Sequence, residues 1–229
     1  MRSNSSGPLK AVVAKLARHY PAPPILTDPL QLIVWENIGY LIDDERRHEL
    51  FGEFGAKIGF EPARIALADD AQLLDIAKRG GMRPETRVER WRTIARIALE
   101  DDGGDLDRTL RALPLAKARA LLKRFPAVGD PGADKVLLFR GLASRPCLES
   151  NGLRALARLG FFTEQPSYPA SYRAAVAVLI DQGQPDRDWL VSAYGALRAH
   201  GQALCRRSAP HCVPCPLDAL CGHVAVALL

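Results

Sequence analysis

His200-Gly201-Gln202-Ala203-Leu204-Cys205-Arg206-Arg207-Ser208-Ala209-Pro210-His211-Cys212-Val213-Pro214-Cys215-Pro216-Leu217-Asp218-Ala219-Leu220-Cys221 is the stretch that decides how this chain is read. Four of the five cysteines crowd into it, in the spacing Cys205-x6-Cys212-x2-Cys215-x5-Cys221. Thiolates are soft ligands, suited to iron–sulfur centres or to zinc. Pro210, Pro214 and Pro216 stiffen the intervening turns, so little conformational freedom is lost when the ligands converge. The spacing predicts a metal centre held by Cys205, Cys212, Cys215 and Cys221. Structural zinc sites usually present two close cysteine pairs, and only one CxxC is present; a cluster fits better, with zinc left as the rival. Cys147 stands apart. An odd count argues against a disulfide framework, and Cys147 is expected to be a small buried apolar residue.

Upstream of this stretch the patterning is helical. Leu9, Val12, Val13, Leu16, Ala17 and Tyr20 lie on one face of an amphipathic helix, which Pro21, Pro23 and Pro24 end. Helical segments are expected at 29–41, 45–57, 61–67, 70–79, 86–100, 105–112, 114–124, 133–140, 150–159, 168–182 and 187–204, with breaks at Gly80-Gly81 and Gly103-Gly104. Sustained alternation is missing and β-branched residues are sparse, so the fold class is all-α.

The 229 residues suit one large domain or two small ones, and 48% apolar content is enough for a core. No apolar run reaches the ~20 residues of a membrane span, and Met1–Gly7 is polar, unlike a signal peptide. The expected location is intracellular, where thiols stay reduced. The net charge of +5 and pI of about 9.1 are compatible with a polyanionic partner without demanding one. A cluster-bound set of thiolates would lower that charge to about +3.

Phe125-Pro126-Ala127-Val128-Gly129 lies between two helical segments. Pro126 opens a tight turn, and Gly129 can adopt positive φ. Bare N–H groups near Val128 and Gly129, with the positive end of the next helix, would face an anion such as a DNA phosphate without reading base sequence. Asp130 and Pro131 suit the cap and first position of that helix. Asp130 also sets a negative charge beside the anion, which Lys123 and Arg124 are placed to offset.

The cysteine spacing, the His200-Gly201-x3-Cys205 approach and the hairpin together resemble the endonuclease III-like branch of the helix-hairpin-helix DNA glycosylases, over residues 10 to 222. The family pattern is not matched everywhere: Ala127 stands where the first hairpin glycine is usual. The resemblance implies a [4Fe–4S] cluster on the four cysteines. It also implies two α-helical lobes with a DNA-binding cleft between them. One is a six-helix lobe at 27–143 ending with the hairpin; the other joins 1–26 to 144–229. The implied DNA contacts are Ala127, Val128, Gly129, Lys123, Arg124, Arg206 and Arg207. The implied partner is double-stranded DNA carrying a damaged or mismatched base, bound by a monomer.

Bifunctional members of the family carry a Schiff-base lysine two residues after the last hairpin glycine. Here that position is Pro131, which has no amine, so the resemblance implies no strand cleavage by that route. Lys135, one turn on, is the candidate substitute nucleophile. The family's catalytic aspartate aligns with Glu149 in Cys147-Leu148-Glu149-Ser150-Asn151-Gly152-Leu153-Arg154, with Ser150 expected to cap the following helix. Cleaving an N-glycosidic bond builds positive charge on the sugar, which a carboxylate stabilises, or it activates the attacking water. Tyr40 aligns with the residue that fills the gap left by a flipped base, and an aromatic ring can stack there; packing in the core with Trp35 is the competing expectation. Glu36, Asn37 and Asp43 are near the pocket without an assigned role, and His200 reads as an ordinary helix-terminal histidine. The expected activity is a monofunctional base-excision-repair DNA glycosylase. The alternatives are a non-catalytic [4Fe–4S] protein that recognises damaged DNA, or a bifunctional glycosylase using Lys135.

Overall fold

The computed structural model describes residues 9–21, 25–183 and 186–223. Among them are twelve α-helices, one 3-10 turn and no strand, so the chain is all-α. The helices are α1 Leu9–His19, α2 Pro29–Asn37, α3 Asp44–Lys57, α4 Pro62–Leu67, α5 Asp70–Arg79, α6 Pro84–Asp102, α7 Leu106–Ala112, α8 Leu115–Leu122, α9 Asp130–Arg140, α10 Ser150–Arg158, α11 Tyr168–Gln182 and α12 Arg187–Ala203. No helix among the described residues is long and apolar enough to cross a membrane. The chain divides into two compact units, Leu26–Leu142 and Met1–Ile25 with Ala143–Leu229.

The unit Leu26–Leu142 holds eight helices, α2 to α9, where the resemblance implies six. Two of them, α4 and α7, are short segments set off by local start signals: Pro62 in the first turn of α4, and the Asp105 side chain accepting from Arg108 N–H before α7. α6 is the spine of this unit, packing against α2, α4, α5 and α7. Its Trp91 is fully buried and meets Phe54 of α3 edge-on, with ring centroids 4.9 Å apart. Truncating such a ring typically costs about 3–5 kcal/mol.

Two helix ends differ from the sequence expectation by three residues or more, each for a physical reason. α2 stops at Asn37, four residues short of Leu41, because Tyr40 N–H donates to Gly80 C=O (2.9 Å) instead of continuing the helix, and Leu41 turns left-handed (φ 57°). α9 starts at Asp130, three residues early, because Pro131 pre-sets a helical φ in its first turn.

In the other unit α12 packs against α10 and α1, and α10 against α11. Leu9, Val12, Val13 and Leu16 present the apolar face of α1 to a core shared with Leu153, Leu156, Tyr172, Leu179 and Leu197. The cysteine loop follows α12 and packs at the margin of this core, with Cys205, Cys215 and Cys221 against it.

Candidate functional site

The hairpin joins α8 to α9. Phe125 and Val128 are buried and pin the turn to the core, and Val128 N–H donates to Phe125 C=O at 3.2 Å. The left-handed residue is Ala127 (φ 61°), whereas Gly129 is extended (φ −86°, ψ −166°). The positive φ open to Gly129 is thus not used; the reversal is made at Ala127. The reversal falls one residue after Pro126, where a Cβ crowds the following carbonyl at about 1–2 kcal/mol. A Cβ on Gly129 would meet only Pro131 Cδ, at 3.7 Å, so the chain's own packing does not require glycine there. No side chain caps α9, and no hydrogen bond among the described residues takes up the N–H of Gly129, Asp130 or Gly132. Asn37, buried at the end of α2, holds the turn from behind: its Nδ2 donates to Ile33 C=O (3.0 Å) and Pro126 C=O (2.9 Å).

Asp130 is neutralised locally. Its Oδ1 lies 2.7 Å from Lys123 Nζ and 3.1 Å from Arg119 Nη2. The Lys123 ammonium beside it, with the Arg119 charge behind, holds the carboxyl below its usual range. Arg119 also grips the fully buried Asp134 through Nε (2.7 Å) and Nη2 (3.3 Å). Lys123 thus offsets Asp130 as expected, but its helper is Arg119. Arg124 instead reaches Glu100 at 3.6 Å.

Two further loops of this unit form a single tip. Tyr40 pairs with Gly81 in an isolated parallel bridge. A Cβ on Gly80 would sit 2.6 Å from Ile38 O, and one on Gly81 (φ 93°) 2.2 Å from Tyr40 O. Only glycine lets the two backbones meet this closely. At the tip Tyr40, Leu41 and Met82 are 57%, 78% and 59% exposed. Tyr40 is therefore not in the core with Trp35.

In the other unit, Glu149 is itself the N-cap of α10, replacing Ser150 in that role. Its Oε1 accepts from Gly152 N–H and its Oε2 from Asn151 Nδ2, both at 2.7 Å. Asn151 Oδ1 in turn accepts from Arg154 Nη2 (2.8 Å), and Arg154 donates onward to Gly201 C=O (2.8 Å) and Cys205 C=O (2.9 Å). The half-buried carboxylate is thereby tied through two side chains to the start of the cysteine loop.

Cys205, Cys212, Cys215 and Cys221 line one cavity with Arg158, His200 and His211. Arg158 shapes the loop by donating to the carbonyls of Arg206 (2.6 Å) and Arg207 (3.0 Å), and its Nη1 lies 3.6 Å from Cys205 Sγ. Leu217 N–H donates to Cys215 Sγ at 3.4 Å. His200 is buried; burial pushes its pKa down to about 4, so the ring is neutral. It lies between Tyr20 Oη (3.1 Å from Nδ1) and Cys215 Sγ (3.9 Å from Nε2). Burial also pushes the Cys215 thiol up. Among the described residues no group of three or more His, Cys, Asp or Glu side chains is placed to hold a single metal ion. A four-iron cluster spaces its thiolates more widely than one ion does. The donor set, four thiols around one cavity with N–H and guanidinium donors aimed at sulfur, fits such a cluster.

No protein-family profile matches the sequence, and no curated protein does. Solved structures do match. Endonuclease III trapped in a covalent intermediate with DNA shares 16% identity over 100% of both chains, with a TM-score of 0.76. A thermostable thymine-DNA glycosylase shares 17% over 95% of this chain and 97% of that one, with a TM-score of 0.72. The H. pylori 3-methyladenine DNA glycosylase MagIII, bound to 1,N6-ethenoadenine, shares 14% over 83% and 93%, with a TM-score of 0.63. The chain has the helix-hairpin-helix DNA glycosylase fold.

Within this glycosylase fold the remaining expected residues fall as follows. Pro131 occupies the first turn of α9 and carries no amine. Lys135 is buried, with Nζ 2.6 Å from Glu36 Oε1 and 5.7 Å from the Phe139 ring centroid. Asp43 caps α3 by accepting from Arg46 N–H at 2.7 Å. Arg206 and Arg207 are exposed on the cysteine loop, and Cys147 is buried. Leu41, Met82, Asn37 as hairpin clamp, and Arg119 were not singled out from sequence. Gly80-Gly81 was the available signal for the tip, since a glycine pair marks a close backbone approach as well as a break.

Proposed function

We propose that this protein is a monofunctional DNA glycosylase that flips a damaged or mismatched base from duplex DNA and hydrolyses its N-glycosidic bond. The observation that carries the reading is Glu149: a carboxylate held in one orientation by Gly152 N–H and Asn151, in a fold shared with DNA glycosylases. The open N–H groups of Gly129, Asp130 and Gly132, at the positive end of α9, would bind a backbone phosphate. The Tyr40–Leu41–Met82 tip would enter the stack and hold the gap left by the extruded base; apolar wedges serve this way at kinked steps. Glu149 would stabilise the oxocarbenium character of the sugar or orient the attacking water. Pro131 supplies no nucleophile, and Lys135 is committed to Glu36, so release would stop at the abasic site.

Cys205, Cys212, Cys215 and Cys221 would hold a [4Fe–4S] cluster, whose part is to fix the fold of the loop that carries Arg206 and Arg207. Base release measured over a panel of lesions and mismatches tests the activity. At least one substrate should yield free base and an intact strand, and borohydride should trap no covalent adduct. Efficient trapping overturns the monofunctional reading. The second reading, a non-catalytic damage-binding protein, is favoured by the capping role of Glu149. Tight binding to an abasic-site analogue with no turnover across the panel selects it.

A further inference from the structure

Arg87 and Arg90 stand at i and i+3 on one side of α6, and Arg83, the left-handed N-cap of that helix (φ 58°), precedes Arg87 by one turn. The acids of the same turns, Glu85 and Glu89, fall on the other side by the same periodicity. Arg87 is 5% exposed, and both of its hydrogen bonds go to carbonyl oxygens: Nη1 to Ala77 (2.6 Å) and Nη2 to Met82 (3.0 Å). A second arginine, Arg47 of α3, is held nearby, with Nη1 donating to Trp35 C=O (3.1 Å) and its guanidinium 5.7 Å from the Trp35 ring centroid. Burial first, then the charges of Arg90 and Arg47, push the Arg87 guanidinium below its ordinary value.

The exposed members, Arg83 and Arg90, make no side-chain hydrogen bond or ion pair with another described residue. Elsewhere on this unit surface arginines are matched: Arg46 with Glu49, Arg79 with Glu53, Arg92 with Asp70, Arg96 with Glu100. The stripe is the exception. It also lies directly beside the apolar tip, since Arg83 follows Met82 in sequence and Arg87 holds the Met82 carbonyl. Concentrated cations without acids raise the local potential for an anion, and the guanidinium fork matches phosphate oxygens.

We propose that Arg83 and Arg90 form a second phosphate-binding surface, which grips the DNA backbone next to the Tyr40–Leu41–Met82 tip. The proposal rests on the DNA-binding reading of this fold, and it adds a contact in the unit Leu26–Leu142 separate from the hairpin. Buried Arg87 is a positioning residue: it fixes the tip carbonyl and adds charge behind the surface without touching the strand.

The test is equilibrium binding of the full chain to a duplex containing a tetrahydrofuran abasic analogue, followed by fluorescence anisotropy between 50 and 200 mM salt. Each phosphate contact contributes about 0.9 to the slope of log affinity against log salt. Replacing both Arg83→Ala and Arg90→Ala should make the slope shallower by about 2, so that over this fourfold salt range the wild type loses roughly tenfold more affinity than the variant. A control pair of equal charge loss, Arg64→Ala with Arg111→Ala, should leave the slope within about 0.5 of wild type. If the double variant keeps the wild-type affinity and slope, the surface is refuted. If the control pair lowers the slope equally, only net charge matters and the surface is likewise refuted. Failure of the wild type to bind duplex at all overturns the DNA reading itself, a result distinct from both.

Discussion

Replacing Glu149→Gln separates a structural cap from a reacting carboxylate. Gln keeps an oxygen for Gly152 N–H, so the cap survives. Its NH2 then faces Asn151 Nδ2, which now donates to Glu149 Oε2 at 2.7 Å. Asn151 cannot invert freely to relieve the clash, because its Oδ1 accepts from Arg154. The variant therefore loses one charge-assisted hydrogen bond, about 1–2 kcal/mol, and the favourable charge at the α10 N-terminus, about 0.3–1 kcal/mol. For a chain of this size each kcal/mol moves Tm by about 2–4 °C, so the melt should fall by roughly 3–12 °C. The chemical loss should be far larger, about 10²–10⁴-fold in single-turnover base release at a temperature where both proteins are folded. Glu149→Asp restores the charge one methylene short and should recover part of the rate. If Glu149→Gln melts lower yet releases base within about threefold of wild type, the carboxylate is only a cap and its assignment fails.

Four other outcomes follow from the same geometry. Ala127→Gly removes about 1–2 kcal/mol of left-handed strain against about 0.4–1 kcal/mol of added unfolded-state freedom, so thermal melts should rise slightly; a fall would contradict the turn geometry. Gly129→Ala should leave the melt within about 0.5 kcal/mol of wild type yet weaken binding to the abasic duplex at least about tenfold, because only a ligand's backbone approach excludes that Cβ; unchanged affinity would remove the hairpin as a phosphate site. Glu53 is held down to about 2 from an ordinary 4.5, first by the Arg79 hydrogen bond and then by Lys57. Its folded value is the lower one, so it stabilises the protein above about pH 4.5 and the effect disappears as pH falls toward 2. The partly open site reduces this to about 1–2 kcal/mol, and the stability gap between wild type and Glu53→Gln should close over that window in acid titrations. Finally, the purified protein should be brown with broad visible absorption and bound iron, lost in Cys215→Ser; a colourless protein with one zinc would select the rival metal.

The helix content and the course of the chain were legible because amphipathic spacing and capping residues act locally. What was missed depends on residues distant in sequence. A Pro-x-x-Gly turn announces a reversal but does not say which residue turns left-handed, and here it is Ala127. Gly80-Gly81 read as a break, since nothing local reveals that Ile38 and Tyr40 carbonyls press against it. Residue type points to Ser150 as the cap, but the longer Glu149 side chain reaches Gly152 N–H from one residue earlier. Ion pairs such as Lys135–Glu36, 99 residues apart, have no sequence signal at all, and that pairing bears most directly on whether a lysine is free to react.

The Arg154 bridge changes what the cysteine loop is for. Arg154 is 8% exposed, and burial pushes its guanidinium down, so it is stable there only while its acceptors are in place. Two of those acceptors, Gly201 C=O and Cys205 C=O, exist only when the end of α12 and the start of the loop are folded as seen. Removing the acceptors of a buried charge typically costs about 3–5 kcal/mol. If the loop lost its fold, Arg154 would be driven toward the nearest remaining anion, Glu149, two residues beyond the Asn151 that now separates them. The carboxylate would then be paired with a guanidinium and lost to the role proposed for it. On the proposed reading, a metal bound by the loop would therefore act on the chemistry of Glu149 without any electron transfer, by keeping Arg154 occupied.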